Sequence, residues 1–244
     1  MAVLLGAGLA MAQAPPRNVS FVSCPIVRDT RTTPCWLAEY KGELYFLGTQ
    51  GGVAQDFYPP QLNHEVLVEG VVAEGPRVCG GIPLQPVKTS VMLELNRACS
   101  TILPMEDGID APRRTPAPGQ VSSWTRSESP GETTIFFDFD NDFLSLHSTG
   151  ALQKIAGEFQ RGNATELHIS AYRGSSRLSN GTVMTEKPAT AGERAAKVRE
   201  IMAGLGIPEA AIKVELMNAE RTADGATDAW SRKVTLSVKP PVKP

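Results

Sequence analysis

Two patterns of apolar positions divide the chain near its middle. From residue 17 to about 104, apolar and polar residues alternate between turn signals, most strongly over residues 36–40, 43–47, 65–72 and 91–95. No segment of this half shows a convincing 3.6-residue apolar period. The pattern predicts a small all-β domain, either a barrel or a sandwich. An OB-like barrel fits as well, because Gly70 interrupts a β-rich run and glycine permits a corner or bulge there.

The second half mixes the two periods. Alternation predicts strands over residues 133–139, 166–172, 212–216 and 233–238. A helical period predicts one helix around residues 151–159, with Leu152, Ile155, Ala156 and Phe159 on one face, and a second over residues 190–205. The order β-α-β-α-β-β predicts an α+β sandwich with the helices on one face of the sheet.

Three segments fall outside these domains. Residues 1–14 form an apolar run that is too short to span a bilayer and ends in Ala12-Gln-Ala14, which favours a secretory signal over the alternative of a buried N-terminal helix. Residues 106–131 are rich in proline and serine and predict a linker between a β-domain at 15–105 and a second domain at 132–238. Residues 239–244 are expected to form a tail.

Composition narrows the range of functions. A length of 244 residues suits two domains, and a formal net charge of −2 with scattered Lys and Arg argues against nucleic acid as a partner. No later segment is apolar enough to cross a membrane. Together with the predicted secretory signal, this indicates an exported protein whose mature form is soluble.

All four cysteines lie in the first half. An even number in a chain that is predicted to be exported favours disulfides among Cys24, Cys35, Cys79 and Cys99. The simplest pairing joins Cys24 to Cys35 and Cys79 to Cys99, although three connectivities are open. A zinc site is disfavoured because there is no Cys-x-x-Cys and His64 is the only nearby histidine. No metal or other cofactor is expected.

The second half also resembles a known family. Phe-Phe-Asp-Phe-Asp at 136–140, Arg194-Ala195 in the second predicted helix and Arg232-Lys233-Val234 near the end are similar to the peptidoglycan-binding domain of the OmpA, Pal and MotB type, over residues of about 132–238. The resemblance implies that the diaminopimelate of a peptidoglycan stem peptide is held between an aspartate after the second strand and the arginine of the second helix. Arg194 matches that arginine, and Arg232 is expected to help at the rim of the site.

The family's aspartate is absent. Where the family has a Gly-His-Thr-Asp-like turn, this chain has Ala-Tyr-Arg-Gly at 171–174. The resemblance and the local sequence leave three candidate replacements for the carboxylate. Glu186 lies in a segment that looks longer than usual, Glu193 is next to Arg194, and Asp228 lies further along the chain.

Two functions are consistent with these features. The first is a non-enzymatic periplasmic protein that contacts peptidoglycan non-covalently through its C-terminal domain and an envelope partner through its N-terminal β-domain. The alternative is a degenerate OmpA-like domain that serves as a protein-interaction or structural module without binding peptidoglycan. An enzyme is disfavoured because the sequence offers no metal set and no nucleophile with a neighbouring base.

Overall fold

The N-terminal half is a single folded β-sheet. The computed structural model describes residues 17–51, 57–112, 124–127, 129–217 and 222–239, so the predicted signal segment 1–14 and residues 240–244 of the predicted tail lie outside it. The strands of this half are β1 (Asn18–Ser23), β2 (Pro25–Arg28), β3 (Cys35–Tyr40), β4 (Glu43–Thr49), β5 (His64–Val72), β6 (Ile82–Leu95) and β7 (Ile102–Leu103). Their order in the sheet is β1-β5-β6-β4-β3-β2-β7.

One apolar core is shared by both ends of this sheet. Buried side chains from β1, β3, β4, β5 and β6 form it, among them Phe21, Trp36, Tyr45, Val66 and Val68. Strands that are distant in the sheet order can share a core only if the sheet bends over on itself. The bend coincides with a shift in the register of β5 against β6 between Gly70 and Val72, at the glycine where the sequence suggests a corner.

The predicted disulfide pairing is wrong. The structure joins Cys24 to Cys99 and Cys35 to Cys79. The register of the β2–β3 hairpin pairs Pro25 with Ala38 and Arg28 with Cys35, so Cys24 and Cys35 lie at opposite ends of the hairpin. Parallel pairing of β7 with β2 brings the chain after Cys99 back beside Cys24. The sequence pattern missed this because the deciding contacts are long-range.

The C-terminal half is a five-stranded sheet covered by two helices. Its elements are β8 (Thr125–Arg126), β9 (Glu132–Phe136), α1 (Leu146–Arg161), β10 (Glu166–Tyr172), β11 (Ser175–Arg177), β12 (Val183–Thr185), α2 (Thr190–Gly204), β13 (Ile212–Met217) and β14 (Lys233–Lys239). The sheet order is β13-β10-β14-β9-β8, with β10 and β13 parallel and the other neighbours antiparallel. Strands β11 and β12 form a separate hairpin.

The helices follow the predicted apolar faces. The four positions predicted for the first helix are buried in the core, together with Val198 and Met202 of α2 and the inward side chains of β10 and β14. Ser145 caps α1, because its Oγ accepts a hydrogen bond from the backbone N–H of Ser148 at 3.1 Å. This cap places the start of α1 five residues before the start of the predicted segment.

Two parts of this half are additions to the predicted order. Trp124 is buried and the next two residues form β8, so this end of the segment that the sequence predicts as a linker belongs to the C-terminal sheet. Residues 113–123 of that segment lie outside the described residues. The second addition is the β11–β12 hairpin, which lies in the connection between β10 and α2. This hairpin contacts β1 of the N-terminal half, because the backbone N–H of Ser179 donates a hydrogen bond to the backbone carbonyl of Ser20 at 2.7 Å.

Aromatic rings join the two halves. Tyr58 follows β4 in the chain, whereas Trp124 and Phe143 belong to the C-terminal half, and the three rings meet edge to face with centroids 5.2 to 6.4 Å apart. The halves therefore share a packed interface, and buried charged groups extend it, as described next.

Candidate functional site

The arginine predicted to bind a ligand is fully buried. Arg194 lies in the first turn and a half of α2 with no exposed surface. An arginine has five N–H donors, and all five are used here. Three go to the backbone carbonyl oxygens of Asn141, Tyr172 and Asp138, at 2.9 to 3.0 Å. The remaining two go to Glu186, at 3.0 Å from Nη1 and 2.5 Å from Nη2.

The Glu186 carboxylate is equally well satisfied. It lies after β12, is 1% exposed, and forms the two parallel hydrogen bonds with Arg194 that a carboxylate ligand would form. Its Oε1 also accepts from the backbone N–H of Asp140 at 2.9 Å, and its Oε2 from that of Gly174 at 2.6 Å. Each oxygen therefore accepts two hydrogen bonds, so this carboxylate needs no further partner.

Asp140 fixes the segment that carries Glu186. Its Oδ1 accepts from the backbone N–H of Lys187 at 2.7 Å and from the Thr190 hydroxyl at 3.0 Å. These contacts connect the end of the β9 segment to the residues just before and at the start of α2. The Phe-Phe-Asp-Phe-Asp motif thus helps to hold Glu186 against Arg194.

The second predicted arginine is buried between the two halves. Arg232 is fully buried, and its partner is Glu69 of β5 in the N-terminal half: Nη1 donates to Oε1 at 3.1 Å and Nη2 donates to Oε2. Ser176 of the β11–β12 hairpin joins them, accepting from Arg232 Nη1 and donating to Glu69 Oε1, both at 2.8 Å. Burial lowers the pKa of Arg232, but the carboxylates of Glu69, Glu186 and Asp138 together raise it further, so the net shift is upward. Within the described residues, Arg232 Nε has no partner.

A buried lysine adds a second ion pair across the interface. Lys88 of β6 lies 2.8 Å from Asp138 Oδ1, and its ammonium is 3.2 Å from the centroid of the Trp124 ring. Nearby, the backbone N–H of Phe139 donates to the Ser90 hydroxyl at 2.9 Å. Burial lowers the pKa of Lys88 more than its pairing with Asp138 raises it.

Gly174 leaves room for the Arg232 side chain. Its backbone N–H donates to Glu186. A Cβ at this position would meet the Ser231 hydroxyl and lie only 2.8 Å from Cγ of Arg232. A side chain at residue 174 is therefore incompatible with the present position of Arg232.

The predicted site residues are only partly brought together. Arg194 and Arg232 converge at the end of β10, and of the three candidate carboxylates Glu186 reaches Arg194. Glu193 is exposed on the surface of α2. Asp228 instead closes a turn, accepting from the backbone N–H groups of Arg177, Asp224 and Gly225, all at 2.8 Å.

Sequence reasoning missed the N-terminal carboxylate and lysine. One feature of the sequence could have suggested that Glu69 is buried. The preceding residues Val66, Leu67 and Val68 are apolar at consecutive positions, which indicates a strand buried on both faces. A polar residue in such a strand needs a buried partner. Nothing in the local sequence identifies Arg232 as that partner.

Part of this chain is similar to solved structures of OmpA-like domains. The structure is similar, over 48% of this chain and 79% of the other, to the OmpA-like domain of FopA1 from Francisella tularensis subsp. tularensis SCHU S4, with 18% identity and a TM-score of 0.36. The chain resembles OmpA-like domains.

Further solved structures show a similar level of likeness. The peptidoglycan-associated lipoprotein from Burkholderia pseudomallei is similar over 43% of this chain and 89% of its own, with 20% identity and a TM-score of 0.35. The cell wall anchor of the T6SS from Pseudomonas aeruginosa is similar over 45% and 81%, with 16% identity and a TM-score of 0.34. Neither protein-family models nor curated proteins give a match.

Two kinds of feature are absent from the residues that the structure describes. Within those ranges, no helix is both long and apolar enough to cross a membrane. No group of three or more His, Cys, Asp or Glu residues in the same ranges is arranged to hold a metal ion.

Proposed function

We propose that this chain is a non-enzymatic cell-envelope protein whose OmpA-like half is a structural and protein-interaction module, with its arginine site filled by the chain's own glutamate. One observation carries the proposal: all five N–H donors of Arg194 are used within the chain, two of them by Glu186. The carboxylate of Glu186 takes the place that a ligand carboxylate would need.

Displacing Glu186 would be costly. A stem-peptide carboxylate that bound Arg194 would have to remove a fully buried glutamate and leave the backbone N–H groups of Asp140 and Gly174 without their acceptor. Each buried donor without a partner costs about 1 to 3 kcal/mol. The competing ligand would have to compensate for these losses before any net affinity remained.

The N-terminal half also covers the region around the Arg194–Glu186 pair. Glu69 and Lys88 are buried against Arg232 and Asp138 at the end of the C-terminal sheet that the family resemblance associates with ligand binding. One face of the N-terminal half thus has the C-terminal half as its partner. A further envelope partner would bind elsewhere on the molecule.

Two features support an envelope location. The apolar segment at residues 1–14 ends in a pattern suited to signal peptidase. The two disulfides are of the kind that form in oxidising compartments such as the bacterial periplasm.

Peptidoglycan binding is the second candidate function. It is favoured by the position of Arg194, which matches the family's ligand arginine at the start of the second helix. Binding through this residue would require Glu186 to leave the guanidinium. The two candidates therefore differ in one structural respect, which is whether the Arg194–Glu186 pair opens.

Co-sedimentation with purified peptidoglycan sacculi separates the two functions. We expect the wild-type protein, assayed without reducing agent, to stay in the supernatant, as should Arg194→Ala and the surface control Glu193→Ala. Sedimentation of wild type and Glu193→Ala but not of Arg194→Ala would establish the second candidate instead. Release of soluble fragments from the sacculi would contradict the non-enzymatic proposal.

A further inference from the structure

The strand β13 lies at one edge of the C-terminal sheet. It pairs with β10 on one side, and none of the described strands pairs with its other side. Alternate residues along such a strand point their backbone N–H and C=O groups outward, where they are available to another strand. The edge is six residues long, from Ile212 to Met217.

Apolar side chains of this strand are unusually exposed. The register pairs Ile212 with Leu167, so Ile212, Val214 and Leu216 lie on the face of the sheet that the helices cover. Ile212 is 8% exposed, but Val214 and Leu216 are 43% and 49% exposed. Helix α2 therefore leaves the outer part of this face uncovered, beside a free strand edge.

Charged residues alternate with these apolar ones. Lys213 and Glu215 lie on the opposite face of β13, are exposed, and have opposite charges two positions apart. The Lys213 ammonium contacts the backbone carbonyl of Ala210 at 3.0 Å, which leaves its remaining donors available to a second partner. The strand thus has a self-complementary sequence around its central valine.

We propose that β13 pairs with β13 of a second copy of this chain, antiparallel and about a two-fold axis at Val214. In this register Lys213 of each copy lies opposite Glu215 of the other, which gives two cross-strand pairs of opposite charge. On the other face Ile212 lies opposite Leu216, and the exposed aliphatic groups cover one another. The pairing joins the two five-stranded sheets into one.

The free edge of β13 also limits how many copies can join. A two-fold interface uses the same surface on both copies and closes at the dimer. The occupant of this edge is therefore one further copy of the chain rather than a growing stack.

Sedimentation velocity of the full-length oxidised protein over a concentration series tests the proposal. We expect a concentration-dependent dimer for wild type, and its loss in Lys213→Glu and in Glu215→Lys, each of which places like charges opposite one another. The double variant Lys213→Glu/Glu215→Lys restores complementarity and should regain the dimer. Because both positions are exposed on an edge strand, the single variants are expected to stay folded, as circular dichroism will check.

Two outcomes would overturn the proposal. One is a wild-type protein that stays monomeric across the series. The other is a dimer that both single variants retain unchanged, since the interface would then lie elsewhere. Arg199→Glu, an exposed reversal on α2 outside the strand, is the matched control and should leave the dimer intact.

Discussion

The two buried arginines of the C-terminal half are neutralised by carboxylates from different parts of the chain. Arg194 is neutralised by Glu186, eight residues away in the chain, and every donor of its guanidinium is used. Arg232 is neutralised by Glu69, 163 residues away in the other half, and its Nε has no partner in the described residues. The first pair is a complete local structure, whereas the second ties the two halves together with a less complete set of hydrogen bonds.

The comparison shows two sources of a carboxylate for a buried arginine in this chain. A buried arginine needs a carboxylate whatever its origin, because an unpaired buried charge is strongly unfavourable. Here one carboxylate comes from the inserted segment before α2, and the other from the N-terminal β-sheet. Gly174 lies beside both pairs: its backbone N–H donates to Glu186, and its lack of a side chain leaves room for Arg232.

Removing the local carboxylate should have the largest effect. Glu186→Ala leaves Arg194 buried and unpaired, so we expect the free energy of unfolding to fall by about 3 to 5 kcal/mol. Urea unfolding followed by circular dichroism measures it. The control Glu193→Ala removes an exposed glutamate from the same region and should change stability by no more than about 0.5 kcal/mol. Equal effects of the two variants would show that the buried pair contributes nothing special.

Removing the long-range carboxylate should cost somewhat less. Glu69→Ala leaves Arg232 buried without its carboxylate partner. We expect the free energy of unfolding to fall by about 3 kcal/mol, which is the lower end of the range for breaking a buried ion pair. The lower end applies because the Arg232 guanidinium already lacks one of its possible hydrogen bonds. Because the pair joins the halves, limited proteolysis should also become faster. The control Glu39→Ala, at an exposed position of β3, should leave both measurements unchanged. A Glu69 variant as stable as wild type would show that the interface does not depend on this pair.

A side chain at Gly174 should perturb the Arg232 pair. Gly174→Ala introduces a Cβ that would lie 2.8 Å from Arg232 Cγ, and overpacking of this kind costs about 1 to 3 kcal/mol. In contrast, Gly150→Ala in α1 meets no atom within 4 Å and should stabilise the protein by up to about 1 kcal/mol, because alanine favours helix. Thermal unfolding of the two variants should therefore shift in opposite directions. A Gly174→Ala variant that unfolds at or above the wild-type temperature would contradict the close packing described here.

The smallest expected effect is a change in pH dependence. Burial lowers the pKa of Lys88 in the folded protein. At pH values between this lowered pKa and the ordinary lysine pKa, the unfolded chain therefore binds more protons than the folded one. The free energy of unfolding therefore rises with pH across this window, by at most about 1.4 kcal/mol per pH unit. Lys88→Met should remove this contribution, which urea unfolding from neutral to alkaline pH will measure. Parallel curves for wild type and variant would show that Lys88 does not titrate differently on folding.

Local patterns in the sequence predicted much of the fold. Helix α2 and strands β10 and β14 lie where the apolar periods place them, because each carries one buried face that repeats at its own period. Strand β13 also lies where alternation places it, although Ile212 alone of its alternating apolar residues is buried. Strand β6 begins at Ile82, well before the predicted 91–95 segment. The apolar pattern missed the first part of the strand because that part includes two prolines and lacks clear alternation. The disulfide pairing failed for a different reason, since it depends on which distant strands become neighbours.

The site was only partly predictable on the same grounds. Arg194 and Glu186 could be suggested because both lie in one short stretch next to a helix start. The partnership of Arg232 with Glu69 could not, because it depends on how the two halves pack. The resemblance located the arginines, but their burial followed from contacts that no local pattern contains.

A double-mutant cycle on Arg194 and Glu186 tests the central claim most directly. Urea unfolding of wild type, Glu186→Gln, Arg194→Met and the double variant gives the coupling free energy between the two side chains. If the pair is a permanent structural replacement for a ligand, the coupling should be about 2 to 3 kcal/mol in the stabilising direction. Additivity within about 0.5 kcal/mol would show that the two residues act independently and would contradict the account.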